Sequence, residues 1–217
     1  MVIMETLNIP ERISLLNNIS DKSGFNFKFI TNFDISEIKK HIDLKNITQN
    51  KWQKYLNLGW HQNWDKGVET NDLHFLMLIN TDRLGDLKNP IFTYMSPKNL
   101  ELLSIITPII RRLEQEFGDQ GKVLRAYFAR VLPGETLHEH RDQDNNDNSE
   151  TYQKLIHKYH IPITTNDKVW TQVNGERLHM EPGECWELNN NLLHNGANEG
   201  NTDRIHLTIE ISPYRWL

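Results

Sequence analysis

Three residues far apart in the chain have the types and spacing of a metal site. His140, Arg141 and Asp142 stand together in GETLHEHRDQD, and His194 follows in NNLLHNGANEG. Two imidazoles and a carboxylate, with the carboxylate two residues past the first imidazole, are the parts of a facial triad for non-haem Fe(II). Such a site leaves coordination positions for a co-substrate and O2. In an extended segment side chains at i and i+2 share a face, so His140 and Asp142 can both point into a barrel mouth while Arg141 points away. His138 is a rival ligand, because His138 and His140 are also two apart. Standing alone, H-x-D is more often a solvated turn than a metal site. Arg204 comes ten residues after His194, at the head of the strand-like run RIHLTIEI. A guanidinium there offers a bidentate fork to a carboxylate. Triad and arginine together point to an oxygen-activating enzyme that uses 2-oxoglutarate.

The elements that must position these groups are legible in the periodicities. RIHLTIEI alternates, with Arg204, His206, Thr208 and Glu210 on one face and Ile205, Leu207, Ile209 and Ile211 on the other. Polar residues inward and aliphatics outward fit a barrel with a polar lumen and a helix-covered wall. The reverse, an aliphatic sandwich core with the polar face in water, is the commoner fate of an alternating strand. KLIHKYHIPI repeats the pattern, with Lys158 and His160 on one face. A cation and an imidazole projecting into the same lumen can bind the 1-carboxylate end of 2-oxoglutarate. In LRAYFARVL, Tyr127 is in register to line the pocket. Trp170 and Trp186 are candidates for substrate walls, although strand tryptophans are usually core.

Upstream, DISEIKKHI (Asp34 to Ile42) reads as a short helix, and LHFLMLI (Leu73 to Ile79) as a buried strand. Ser96-Pro97 caps a clearer helix with an apolar stripe of Leu102, Ile106, Ile109 and Leu113. Pro108 interrupts its pattern, so Thr107-Pro108 is an alternative cap for a second helix. Gly118 is the expected stop. Beyond Gly121, short strand-like runs alternate with turns at Pro133-Gly134, Asn174-Gly175 and Pro182-Gly183; Asn-Gly between two strands is a strong hairpin signal. The expected fold is mainly β with flanking helices, a jelly roll. Residues 1–95 form a mixed α/β extension packed on the barrel, and 96–217 the helix and catalytic core of a single domain.

Composition excludes several classes. The chain has 217 residues, enough for a substantial core, with 37% hydrophobic and 24% charged residues and a net charge of −5. Acidic and basic residues are interspersed, so no nucleic-acid footprint is expected. No apolar run approaches the ~18 residues of a membrane span. The start, MVIMETLNIPERISLL, is soon broken by Glu5, Pro10 and Arg12 and lacks the plan of a signal peptide. One cysteine, Cys185, excludes an internal disulfide and fits a reducing, cytoplasmic setting. The polar stretch Asp142 to Glu150 reads as a lip over the site.

From about Arg125 to Ile211 the chain resembles the aspartyl/asparaginyl β-hydroxylase family of Fe(II)/2-oxoglutarate oxygenases. The matching pieces are RVLPGETLHEHRD, KYHIPITTND and GERLHMEPGECWELNNNLLHNGANEGNTDRIHLTIE. A Pro-Gly turn stands six residues before the first iron histidine, a "HIPI" strand follows, and the run ends in a histidine, an asparagine and "RIHL". The resemblance implies a cupin-like double-stranded β-helix. It makes His140 and His194 iron ligands, with Asp142 as the third, as in many bacterial members. It places Arg204 on the 5-carboxylate of 2-oxoglutarate, and His160 with Lys158 near its other end. The family often has arginine where this chain has Lys158, which keeps the charge and loses the planar fork. Asn198 is expected to hold the loop after His194 through backbone hydrogen bonds.

The implied function is hydroxylation of an Asp- or Asn-type side chain in a peptide or protein, with Fe(II), 2-oxoglutarate and O2. An alternative is the same chemistry on a free amino acid or small metabolite. A second is a non-catalytic, metal-binding cupin-like module, which has no need of Arg204.

Overall fold

The computed structural model describes residues 22, 24–44, 53–54, 74–81, 92–95, 100–118, 121–142 and 156–213. In chain order these form β1 (Phe27–Asn32), α1 (Ser36–Leu44), β2 (Gln53–Lys54), β3 (His74–Thr81), β4 (Phe92–Met95) and α2 (Leu100–Glu114). Then come β5 (Lys122–Val131), β6 (Thr136–His140), β7 (His157–Thr164), β8 (Val169–Val173), β9 (Glu176–Leu178), β10 (Glu184–Leu188), β11 (His194–Asn198) and β12 (Arg204–Ser212). Ser96-Pro97 and residues 143–150 lie outside the described residues. No described helix is long and apolar enough to cross a membrane.

Among the described residues the strands make two antiparallel sheets. The larger runs β1-β10-β7-β12-β5-β3-β2, with β4 beside β3; the smaller runs β6-β11-β8-β9. Strands β1 to β4, from the first 95 residues, are thus members of the larger sheet itself. The expected double-stranded β-helix is present, and its alternation decides which face is which. Ile205, Leu207, Ile209 and Ile211 join the apolar core that α1 and α2 make on the outer face, with Ile38, Leu102, Ile106 and Leu113. The opposite residues are not in water. Arg204 is 4% exposed, His206 1%, Thr208 0% and Glu210 2%, so the polar face lines a closed lumen.

Two local features settle the registers. Asn174 and Gly175 both take positive φ, 49° and 83°, as a two-residue hairpin between β8 and β9 requires. Gly183 has φ 88°, and a Cβ there would lie 2.7 Å from the Phe33 carbonyl, so only glycine fits the turn into β10.

One expectation is corrected. Helix α2 runs unbroken through Pro108, and no second helix begins at Thr107. Pro108 is exposed, as is Ser104, whose carbonyl loses its amide partner, so water can solvate it there. Thr107 Oγ1 donates to Leu103 O at 2.8 Å, and the buried stripe holds both halves to one sheet.

Candidate active site

The smaller sheet brings the two histidines together. His194 on β11 pairs directly with His140 on β6, and their rings lie 4.3 Å apart between centroids. Each ring is aimed by its own backbone. His140 Nδ1 donates to His138 O at 2.8 Å, and His194 Nδ1 donates to Leu192 O at 2.9 Å. A ring that donates from Nδ1 keeps the Nε2 lone pair for a metal. Both Nε2 atoms face the same carboxylate: Asp142 Oδ1 is 3.6 Å from His140 Nε2 and 3.5 Å from His194 Nε2. Ligand atoms of all three residues fall within 4.8 Å of one another, and they form the group able to hold a metal ion among the described residues. His138, the rival, is exposed and contributes its carbonyl to this arrangement.

The donor set suits Fe(II), because two neutral imidazoles and one carboxylate occupy three positions on one side of a common focus. Asp142 is ready as an anion. Burial alone raises its carboxyl, but the Lys158 ammonium, with His140 and His194 beside it, takes it well below the ordinary carboxylate range. Lys158 Nζ donates to Asp142 Oδ1 at 3.1 Å and Oδ2 at 2.9 Å. Lysine at this position therefore sits on the third carboxylate, a contact the sequence pattern did not show. Burial lowers the Lys158 ammonium, and Asp142, then Tyr127 and Glu210, more than reverse that.

Arg204 closes the other end of the site. Its Nη2 donates to Thr171 Oγ1 on β8 at 3.3 Å, and its Nε to His206 Nε2 at 3.2 Å. Thr171 pairs with Gly196, and a Cβ on Gly196 would lie 3.6 Å from Arg204 Nη1. Gly196 is two residues past His194, so the guanidinium lies one strand repeat from the metal-competent group. Glycine in a strand often marks such a close approach, a signal present in HNGAN and passed over. No described carboxylate lies within ion-pair distance of Arg204. A buried guanidinium without an anion is expensive, and burial lowers Arg204 to about 10.

Between these ends, one row of lumen residues crosses the larger sheet: Tyr127, Thr208, His160 and Trp186 pair in turn on β5, β12, β7 and β10. Among the described residues neither ring nitrogen of the enclosed His160 has a hydrogen-bond partner, and neither has Thr208 Oγ1. Tyr127 OH points instead to Glu210 Oε1, 3.5 Å away. Trp186 packs edge-on to Phe29, and Trp170 donates to Glu199 under the Arg177 guanidinium. Asn198 behaves as expected, donating from Nδ2 to Val131 O at 3.0 Å and Thr202 O at 2.8 Å. Cys185 is buried against the helices.

Comparison with known proteins now decides the class. Residues 37–213 match the family described as aspartyl/asparaginyl beta-hydroxylase. The chain belongs to this family. It is a 2-oxoglutarate- and Fe(II)-dependent hydroxylase by class, as the resemblance implied. Its fold is shared with a 2OG-Fe(II) oxygenase family oxidoreductase from Burkholderia pseudomallei, at 14% identity over 92% of this chain and 90% of that one, TM-score 0.54. A viral collagen prolyl hydroxylase from Paramecium bursaria Chlorella virus-1 aligns at 12% identity over 87% of this chain and 97% of that one, TM-score 0.49. No curated protein matches the chain in sequence.

Proposed function

We propose that this hydroxylase acts on an Asp- or Asn-type side chain of a peptide or protein, with His140, Asp142 and His194 holding Fe(II) and Arg204 taking the 5-carboxylate of 2-oxoglutarate. The observation that carries the reading is the buried Arg204, without a carboxylate partner among the described residues, one strand repeat from three convergent candidate metal donors. A non-catalytic metal-binding module leaves that burial unexplained. The substrate class rests on the family's description.

When bound, the metal supplies the activation of O2 that converts 2-oxoglutarate to succinate and carbon dioxide and places a hydroxyl on a C–H bond. The chain's own residues do the rest. The backbone carbonyls of His138 and Leu192 hold the two imidazoles in one tautomer. Arg204 and Thr171 give the co-substrate's tail a fixed fork, and Gly196 makes room for it. His160 is neutral, since burial and then Lys158 and Arg204 lower it well below the ordinary imidazole value. Its unpartnered nitrogens serve the keto-acid end of the co-substrate, with Lys158 adjacent. Tyr127, in the row of His160, helps enclose the lumen against water.

The test incubates the enzyme with Fe(II), 2-oxoglutarate, ascorbate and O2, and with a panel of Asp- and Asn-containing peptides. The expected result is one added oxygen on an Asp or Asn residue with one succinate formed for each hydroxyl. Unmodified peptides beside a hydroxylated free amino acid would overturn the substrate class.

A further inference from the structure

Asp142 is held by more than Lys158. It stands just past the end of β6, and its carboxylate must keep one oxygen on the common focus of the two histidines. Its N–H donates to Asn190 O at 3.3 Å, and Asn190 Nδ2 donates to Asp142 Oδ2 at 3.1 Å. Asn190 thus takes the oxygen that does not face both imidazoles, which leaves Oδ1 turned toward them.

An asparagine amide can present either its donor or its acceptor, so something must choose. Lys22 does so. It comes from the segment ahead of β1, is 3% exposed, and places Nζ 2.6 Å from Asn190 Oδ1. An ammonium only donates, so it binds the amide oxygen and obliges Nδ2 to point at Asp142. The reversed amide would set its oxygen against a carboxylate. The ammonium is anchored on its far side by the Ile156 carbonyl. The neighbouring asparagine fixes the backbone of the same segment: Asn189 Nδ2 donates to Lys22 O at 2.7 Å and to Phe25 O at 3.0 Å. Asn189 and Asn190 therefore clamp Lys22 at both its carbonyl and its ammonium. Burying a lysine this deeply is costly, and burial lowers it to about 8 despite the attraction of Glu187 and Asp142. Among the described residues the Asn190 amide is the side chain this ammonium binds, so the group kept at that cost acts on what the amide holds.

We infer that Lys22 is a positioning residue for the metal-binding carboxylate, orienting Asp142 through the side-chain amide of Asn190. The inference rests on the proposed role of Asp142. It makes the segment before β1, some 120 residues from the metal motif in sequence, a determinant of metal retention.

The test is titration of the metal-free full-length protein with Co(II), followed by calorimetry and by the visible absorption of the bound ion. Four proteins are compared: wild type, Lys22→Met, Asp142→Ala and the double variant. Asp142→Ala is expected to weaken Co(II) binding at least tenfold and alter the spectrum. Lys22→Met is expected to weaken it about three- to tenfold in the wild-type background and not at all in the Asp142→Ala background. Equal weakening by Lys22→Met in both backgrounds, or none in either, overturns the inference while leaving Asp142 as a ligand. Unchanged Co(II) affinity in Asp142→Ala instead overturns the proposed site. Asn190→Ala, which removes the same amide, carries the same cycle if Lys22→Met does not fold.

Discussion

The Lys158 ammonium lies against both oxygens of Asp142, so the proposed third metal donor is already in an ion pair before any cation reaches it. Removing one partner of a fully buried pair costs about 3–5 kcal/mol. A fifth of the Asp142 side chain stays exposed, so Lys158→Met should lower the stability of the metal-free protein by roughly 2 kcal/mol. A divalent cation supplies the missing charge, so the rise in Tm on adding metal should be larger in the variant than in wild type. Thermal melts with and without Co(II) check this, and equal rises count against the pair.

Arg204→Met separates function from stability. Among the described residues its partners are Thr171 and His206 alone, so a neutral side chain of similar volume should leave Tm unchanged or higher. The KM for 2-oxoglutarate should rise about 10- to 100-fold, the loss of ~1.4–3 kcal/mol of charge-assisted binding. Steady-state kinetics and a melt on the same preparation read both effects. A lower Tm with unchanged KM would reassign Arg204 to packing.

Gly196→Ala tests the close approach. The added methyl meets the Trp170 carbonyl at 3.0 Å and Arg204 Nη1 at 3.6 Å. Overpacking against that carbonyl costs about 1–3 kcal/mol, and a shift of β8 there, with Thr171 next to Trp170, should disturb the Arg204–Thr171 contact and weaken co-substrate binding as well. Calorimetric titration with N-oxalylglycine reads the second effect; full affinity in Gly196→Ala would place the anchor elsewhere.

Acid should destabilise the fold through the lumen. His160 and His206 are lowered well below the ordinary imidazole value, first by burial and then by neighbouring cations, Lys158 and Arg204 for His160 and Arg204 for His206. The unfolded chain therefore binds these protons near pH 6.5 while the folded chain does not, and stability falls as pH drops below about 6.5. Each histidine contributes about 1 kcal/mol of loss between pH 6.5 and 5.5. Urea unfolding at the two values measures it, and His206→Asn should show the smaller decline. An equal decline would mean that His206 is protonated in the folded state.

Much of the site was legible because its signals are local and periodic. H-x-D, His194 and Arg204 follow strand spacing, and the inverted alternation of β12 is explained by helices covering the aliphatic side. The Asn-Gly hairpin announced the β8–β9 register. What was not legible is long-range or non-periodic. Lys22 and Asn190 are 168 residues apart, and nothing in the spacing of either marks it until the fold brings them together. Lys158 was placed in the lumen by its face, but face alone does not say which carboxylate it meets. Pro108 misled because a local rule about helix interiors ignores that its ring can lie on the solvent side.

The proposed role of His140, Asp142 and His194 is to hold a ferrous ion whose reaction consumes 2-oxoglutarate. Its most direct test is succinate formation by the purified enzyme with Fe(II), O2, ascorbate and 2-oxoglutarate, beside His140→Ala and His194→Ala. Turnover is expected in wild type, with at least a hundredfold loss in each folded variant. Turnover that survives both substitutions would contradict it.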